Sequence, residues 1–301
     1  AVMRAAKILG ILAAILVLAF LALRTPDTDP AAMLVKYGGP PSRIVALADD
    51  QRVHVRDEGP RDAPVIMLLH GSNADLHTWQ PWVDDLSRDY RIVRYDQIGH
   101  GLTGPALDGD LSPAAFAADV GEVADALGIE RFVLAGNSMG GTVAVRYAMT
   151  NPERLLGLVL IDAGGAPVER KDGGNLAFAI AAMPVVNRLA GEITPRILVE
   201  RSLSQSVSNQ AIVTPEAVDR YWELARYPGN RDAMLERFAQ QRTPFTPEQV
   251  RAIAVPTLVM WGQDDTIIPY EAAGWYMAHL RDATIASYPG IGHLPMEEAP
   301  E

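Results

Sequence analysis

Residues 136–141 carry the clearest chemical signal in the sequence, a Gly-Asn-Ser-Met-Gly-Gly run between two apolar stretches. The first stretch indicates a buried strand and the second a helix, and a Gly-x-Ser-x-Gly at such a turn is typical of a nucleophile elbow. Gly136 and Gly140 would let the strand and the helix approach closely. Ser138 is therefore the candidate nucleophile, and the amide of Met139 would face an oxyanion formed there.

A candidate acid and a candidate base follow Ser138 in the order that such a site requires. A predicted strand over residues 257–261 leads to Asp265, and another over residues 285–288 leads to His293. In this combination the histidine removes the proton of the serine, and the carboxylate orients the histidine. The pattern predicts a serine hydrolase.

The composition of the 301-residue chain excludes several other classes. Its formal net charge of −11 argues against a nucleic-acid partner, because phosphates need a basic face. The absence of cysteine excludes a thiol nucleophile, a disulfide framework and a cysteine-based zinc site. No metal-ligand spacing occurs, so we expect neither a metal nor a cofactor.

Residues 8–23 form a run of 16 apolar residues. As a helix the run is about 24 Å long, and flanking residues can extend it toward a membrane core of about 30 Å. We expect residues 1–24 to be a transmembrane anchor that contacts the bilayer through residues 5–24. A cleaved signal peptide is the alternative, but no convincing cleavage site follows. Basic residues precede the run and acidic residues follow it, which places the rest of the chain outside the cytoplasm.

The remaining chain divides into a linker, a sheet-forming core and an insertion. Residues 25–41 are rich in Pro, Asp and Gly, which predicts a juxtamembrane linker. Strands and helices then alternate over residues 42–163 and 251–301, which predicts an α/β fold with a doubly wound, mostly parallel sheet behind a leading hairpin. Residues 164–250 show helical segments and no clear strand, which predicts a helical cap or lid. Its apolar stretch at residues 176–186 either packs on the core or lines a channel for acyl chains.

Together these motifs resemble the α/β-hydrolase superfamily over residues 42–301, and the N-terminal helix adds a resemblance to single-pass membrane-anchored esterases and phospholipases A of Gram-negative bacteria. That family ends with a helix after the histidine loop, and this chain ends eight residues past His293, so we expect the last helix to be missing. The matching motifs are His70-Gly71, residues 96–101, residues 136–140, residues 261–269 and residues 292–297.

The resemblance also assigns roles. Ser138 would be the nucleophile, His293 the base and Asp265 the acid, with Asp264 and Asp162 as alternatives for the acid. The oxyanion hole would combine the amide of Met139 with one from the loop after His70-Gly71, from Ser72 or else Asn73. His70 would shape that loop, and His100 would be a turn residue.

The expected function is that of a membrane-anchored serine carboxylic ester hydrolase, an esterase or lipase of phospholipase A or lysophospholipase type. Its substrate would be a lipid or a small ester, and its location the bacterial inner membrane with a periplasmic catalytic domain. A homodimer is compatible with the sequence. The alternative is a carbon–carbon bond hydrolase of meta-cleavage products, in which Arg188 or Arg196 would bind a substrate carboxylate. Such hydrolases usually carry an aromatic residue where this chain has Leu294.

Overall fold

The computed structural model describes residues 2–48, 50–168, 191–240 and 243–301. Its strands form one eight-stranded sheet in the order β1-β2-β4-β3-β5-β6-β7-β8. The pairs β1·β2 and β2·β4 are antiparallel and the others are parallel, so the predicted mostly parallel sheet is confirmed. The strands are β1 Arg43–Ala46, β2 Arg52–Glu58, β3 Val65–Leu69, β4 Arg91–Tyr95, β5 Phe132–Asn137, β6 Leu155–Ile161, β7 Thr257–Gly262 and β8 Ala283–Tyr288.

Helices cover both faces of this sheet. The helices are α1 Val2–Leu23, α2 Pro30–Tyr37, α3 Gln80–Leu86, α4 Pro113–Ala126, α5 Met139–Thr150, α6 Arg196–Ser206, α7 Pro215–Ala225, α8 Asn230–Ala239, α9 Pro247–Arg251, α10 Glu271–His279 and α11 Pro295–Glu298.

The central strand β3 explains the two-sided core. Its residues Met67 and Leu69 belong to one buried cluster, which includes side chains of α4 and α5. Leu68 points to the opposite face and joins a second cluster with Trp79. Successive side chains of a strand face opposite sides, so an unbroken apolar strand fits between two helical layers.

The N-terminal segment differs from its predicted description. The stretch expected to be a linker contains α2, because Asp29 caps it through a 2.8 Å bond from the amide of Ala32 and Pro30 occupies its first turn. Residues 25–28 are also hydrogen-bonded to the cap, with Thr28 N 2.9 Å from Arg226 O. The expected transmembrane anchor is not supported, because among the residues described above no helix is both long and apolar enough to cross a bilayer.

The predicted cap corresponds to the segment between β6 and β7. Its described parts, residues 191–240 and 243–250, form helices and contain no strand. The predicted apolar segment at residues 176–186, like Arg188, lies outside the described residues, and the boundaries 164–250 stay a prediction. After the histidine loop the chain forms only the short helix α11.

Candidate active site

Ser138 lies at the sharp turn between β5 and α5, with φ 56° and ψ −115°. A Cβ atom added to Gly136 would lie 2.3 Å from the carbonyl oxygen of Gly140, and one added to Gly140 would lie 2.3 Å from that of Leu69. Real side chains do not tolerate such distances to backbone atoms. The two glycines are therefore the steric condition for the strained backbone at Ser138.

Asn137 ties this elbow to the loop that carries His293. Its Nδ2 donates to the carbonyl oxygen of Ile161 at 3.2 Å and to that of His293 at 3.1 Å. Asn137 is fully buried, so both bonds are shielded from water. The histidine backbone is thus held beside the residue that precedes Ser138.

His293 is oriented by Asp265. Its Nδ1 lies 2.7 Å from Asp265 Oδ2, and the second carboxylate oxygen accepts from the amides of Ile267 at 2.7 Å and Ile268 at 3.0 Å. Both side chains are buried. A proton on Nδ1 in this bond leaves Nε2 as the basic ring nitrogen. The structure therefore brings together the acid and base that the sequence predicts.

Asp162 is a second buried carboxyl group, with φ 44°. Its Oδ1 accepts from the amide of Gly262 at 3.0 Å. Burial, and next the charge of Asp265, raise the pKa of Asp162 well above its usual value, which disfavours the carboxylate form. Asp162, Asp265 and His293 hold polar atoms within 4.8 Å of one another and could surround a cation, but such a cation would need the carboxylate form of Asp162 that burial disfavours.

The predicted oxyanion loop follows β3. Gly71 approaches the nucleophile so closely that an added Cβ would lie 3.1 Å from Ser138 Cβ, and Asn73 has φ 60°. His70 shapes this loop, since its Nδ1 lies 2.8 Å from the carbonyl oxygen of Gly71 and its Nε2 accepts from the amide of Gln97 at 3.0 Å. Burial lowers the pKa of His70, which keeps the ring neutral and able to accept.

The other histidines have structural contacts. His100 Nδ1 lies 3.0 Å from the carbonyl oxygen of Ile98, as suits a turn residue. Burial lowers the pKa of His100 well below its usual value, and the charge of Arg237 adds to this shift. His54, for which the sequence indicates no partner, is buried with its Nδ1 2.7 Å from Asp96 Oδ2.

The sequence does not predict the positions of two arginines of the predicted cap. Arg220 on α7 forms ion pairs with Asp75 at 3.3 Å and Glu297 at 3.5 Å. Arg237 on α8 reaches the oxyanion loop, with Nη1 3.1 Å from Ser72 Oγ. A single arginine in a helix has no local pattern that reveals such distant partners, so no sequence signal could have found them.

Of the two arginines predicted to bind a substrate carboxylate, Arg196 lies among the described residues. Arg196 pairs with Asp219 at 2.5 Å and with Glu200 at 3.1 Å, at the partly exposed surface of the cap. Its charge is already balanced there. Arg188 lies outside the described residues.

The sequence pattern of the alpha/beta hydrolase fold family matches residues 64–300. The chain belongs to this family. A relative from Comamonas testosteroni, a 2-hydroxy-6-oxononadienedioate/2-hydroxy-6-oxononatrienedioate hydrolase, is 27% identical over 259 residues, which cover 80% of this chain and 85% of the relative. Relatives of this kind support a hydrolase.

Solved structures of this α/β-hydrolase family share the architecture. A membrane phospholipase A has a TM-score of 0.72 at 25% identity, covering 100% of this chain and 94% of its own. An esterase from Thermogutta terrifontis has a TM-score of 0.70 at 24% identity, covering 86% of this chain and 93% of its own. The second likeness shows the fold alone.

Proposed function

We propose that this α/β-hydrolase cleaves carboxylic esters through an acyl-enzyme, with Ser138 as nucleophile, His293 as base and Asp265 as acid. The observation that carries the proposal is the 2.7 Å hydrogen bond between His293 Nδ1 and Asp265 Oδ2. Asn137 supports it by holding the histidine loop beside the elbow. Asp162 is less suited to be the acid, because its raised pKa disfavours the carboxylate that would stabilise an imidazolium.

The reaction follows from this geometry. Ser138 Oγ attacks the ester carbonyl carbon while its proton passes to His293 Nε2. The amides of Met139 and of Ser72, or else Asn73, stabilise the resulting oxyanion. His293 gives the proton to the departing alkoxide, which leaves as an alcohol. Water, deprotonated by the same nitrogen, then attacks the acyl-enzyme and releases the carboxylic acid.

The proposed substrates are esters of medium acyl chains, including lysophospholipids and phospholipids. The likeness to a membrane phospholipase A over the whole chain supports this choice. The apolar sequence at residues 176–186 also supports it, since each buried methylene of an acyl chain contributes about 0.8 kcal/mol.

Carbon–carbon bond hydrolysis of a meta-cleavage product is the second candidate. The name of the Comamonas testosteroni relative favours it, and the same three side chains would serve. Arg196 does not favour it, because this arginine is engaged by Asp219 and Glu200.

A single substrate panel separates the candidates. Wild type and Ser138→Ala would be assayed with p-nitrophenyl acetate, butyrate and octanoate, with a lysophospholipid, and with a 2-hydroxy-6-oxo ring-cleavage acid. We expect hydrolysis of the esters, best for medium chains, and a loss of about 10⁴-fold or more in Ser138→Ala at an unchanged melting temperature. Activity within tenfold of wild type would exclude Ser138 as the nucleophile, and activity confined to the ring-cleavage acid would favour the second candidate.

A further inference from the structure

Arg237 brings a positive charge from the cap to the predicted oxyanion hole. Its side chain extends from α8, and the residue is only 7% exposed. Nη1 lies 3.1 Å from Ser72 Oγ and 2.6 Å from Met139 Sδ. Met139 and Ser72 are two of the three residues whose amides we propose for the oxyanion hole, so one guanidinium contacts both sides of it.

Arg237 supplies positive charge at this corner, beside the negative charges of Asp96 and Asp75. Burial first, and then the charge of Arg237, lower the pKa of His100. Burial lowers the pKa of His70 as well, and Arg237 adds to that shift. Both imidazoles are therefore neutral, and Arg237 is the cation among these three side chains. A fixed positive charge in a buried site stabilises an anion far more than the same charge in water.

The hydrogen bond to Ser72 has a direction. A guanidinium can only donate, so Ser72 Oγ accepts from Arg237 and its own proton points elsewhere. The neighbouring Gly71 lies against Ser138, so Ser72 is the next residue of the loop that packs on the elbow. Arg237 can thus orient the Ser72 hydroxyl as a further donor and make it more acidic.

We propose that Arg237 is a positioning residue of the oxyanion hole, which holds Ser72 and Met139 in place and transmits its charge to the oxyanion through the Ser72 hydroxyl. The inference rests on the proposed function, because it requires an oxyanion formed at Ser138. It makes the cap a part of the hole as well as a cover over it.

The test is a double-mutant cycle of Arg237→Gln and Ser72→Ala with p-nitrophenyl butyrate. Fluorophosphonate titration counts the reactive serines, so that kcat is expressed per working site. We expect Arg237→Gln to lower this kcat about 10- to 100-fold with KM within about threefold, and Arg237→Lys to recover part of the loss. The double variant should be clearly faster than the product of the two single losses predicts, since Arg237 acts partly through the hydroxyl that Ser72→Ala removes.

Arg231→Gln is the matched control on the same helix. Arg231 is 6% exposed, but its guanidinium donates to the carbonyl oxygens of Thr25 and Gly191, at 2.8 and 3.0 Å, away from the elbow. We expect this variant to lose stability and to keep the wild-type kcat per titrated serine.

Three results would overturn the inference about Arg237. The first is that Arg237→Gln keeps the wild-type kcat per titrated serine. The second is that the fold-loss of kcat in the double variant equals the product of the two single fold-losses. The third is a loss of kcat that occurs with anionic esters and not with p-nitrophenyl butyrate, which would mean that Arg237 binds the charge of the substrate. If fluorophosphonate does not label the wild-type protein, the proposed function is overturned as well. If it labels the wild-type protein and any of these three results is found, only the inference about Arg237 is overturned.

Discussion

The turn at Ser138 and the helices of the predicted cap are held by different kinds of contact. At the elbow, Gly136 and Gly140 let backbone atoms meet, and the Asn137 amide binds two carbonyl oxygens. In the cap, Arg220 lies between Asp75 and Glu297. Close backbone packing and two hydrogen bonds therefore hold the elbow, whereas ion pairs join the cap to the core in addition to apolar contacts of Val218 and Tyr221.

The charges of the cap depend on one another. Burial alone would lower the pKa of Arg220, but Asp75 and Glu297 raise it. Burial alone would raise the pKa of Asp75, but Arg220 and His77 lower it. Asp75 follows the oxyanion loop and Glu297 follows His293, so the cap is attached to both loops that supply the site.

The largest expected effect is a difference in kcat between variants of the two buried carboxyl groups, Asp265 and Asp162. Asp265→Asn would favour the wrong tautomer of His293, and we expect kcat to fall about 10⁴-fold with little change in melting temperature. Asp162→Asn keeps an oxygen that accepts from the amide of Gly262, so its kcat should stay within about threefold of wild type. If Asp162→Asn were the crippling change, the acid would have to be reassigned.

The next effect tests whether charge holds the cap. Arg220→Met would leave Asp75 and Glu297 close together without a counter-ion, and we expect the free energy of unfolding in urea to fall by about 3–5 kcal/mol. Arg196→Met removes a partly exposed pair and should change stability little. Equal, small changes in both variants would show that apolar packing holds the cap instead.

A smaller effect tests whether shape holds the elbow. Gly136→Ala should lower the free energy of unfolding by about 1–3 kcal/mol, because its Cβ would overlap the Gly140 carbonyl group. Gly274→Ala is the control, since a Cβ at this position of α10 meets nothing within 4 Å. That variant should gain up to about 1 kcal/mol from higher helix propensity. Tolerance of alanine at Gly136 would contradict the steric account.

The smallest effect concerns pH. The pKa of Asp162 is higher in the folded protein than the value of about 3.9 in an unfolded chain. Between those two values the folded state binds more protons, so the contribution of Asp162 to stability falls as the pH rises. Urea unfolding at two pH values across this window should show Asp162→Asn gaining on wild type at the higher pH. Parallel curves would mean that the folded pKa is not raised.

The same contrast explains what the sequence could predict. The elbow, the leading hairpin and the parallel strands follow from glycine spacing and apolar runs, which are local patterns. The positions of Arg220 and Arg237 could not be predicted, because their partners are distant in sequence and many acidic or hydroxyl residues would serve equally well. Asp162 is buried because β7 packs beside it, and no residue near Asp162 in the sequence indicates this contact. Asp29 and Pro30 form a helix start that predicts α2, but the Pro and Gly content of residues 25–41 favours a linker.

Detection of the acyl-enzyme is the most direct test of whether Ser138 is the nucleophile. Wild type would be mixed with excess p-nitrophenyl butyrate, followed for the first turnover and quenched in acid for peptide mass spectrometry. If Ser138 is the nucleophile, we expect a burst of about one p-nitrophenol per active site and a butyryl ester on Ser138. We also expect that neither is found in Ser138→Ala. Turnover of the ester with a modified residue other than Ser138, or a burst that survives in Ser138→Ala, would contradict this assignment.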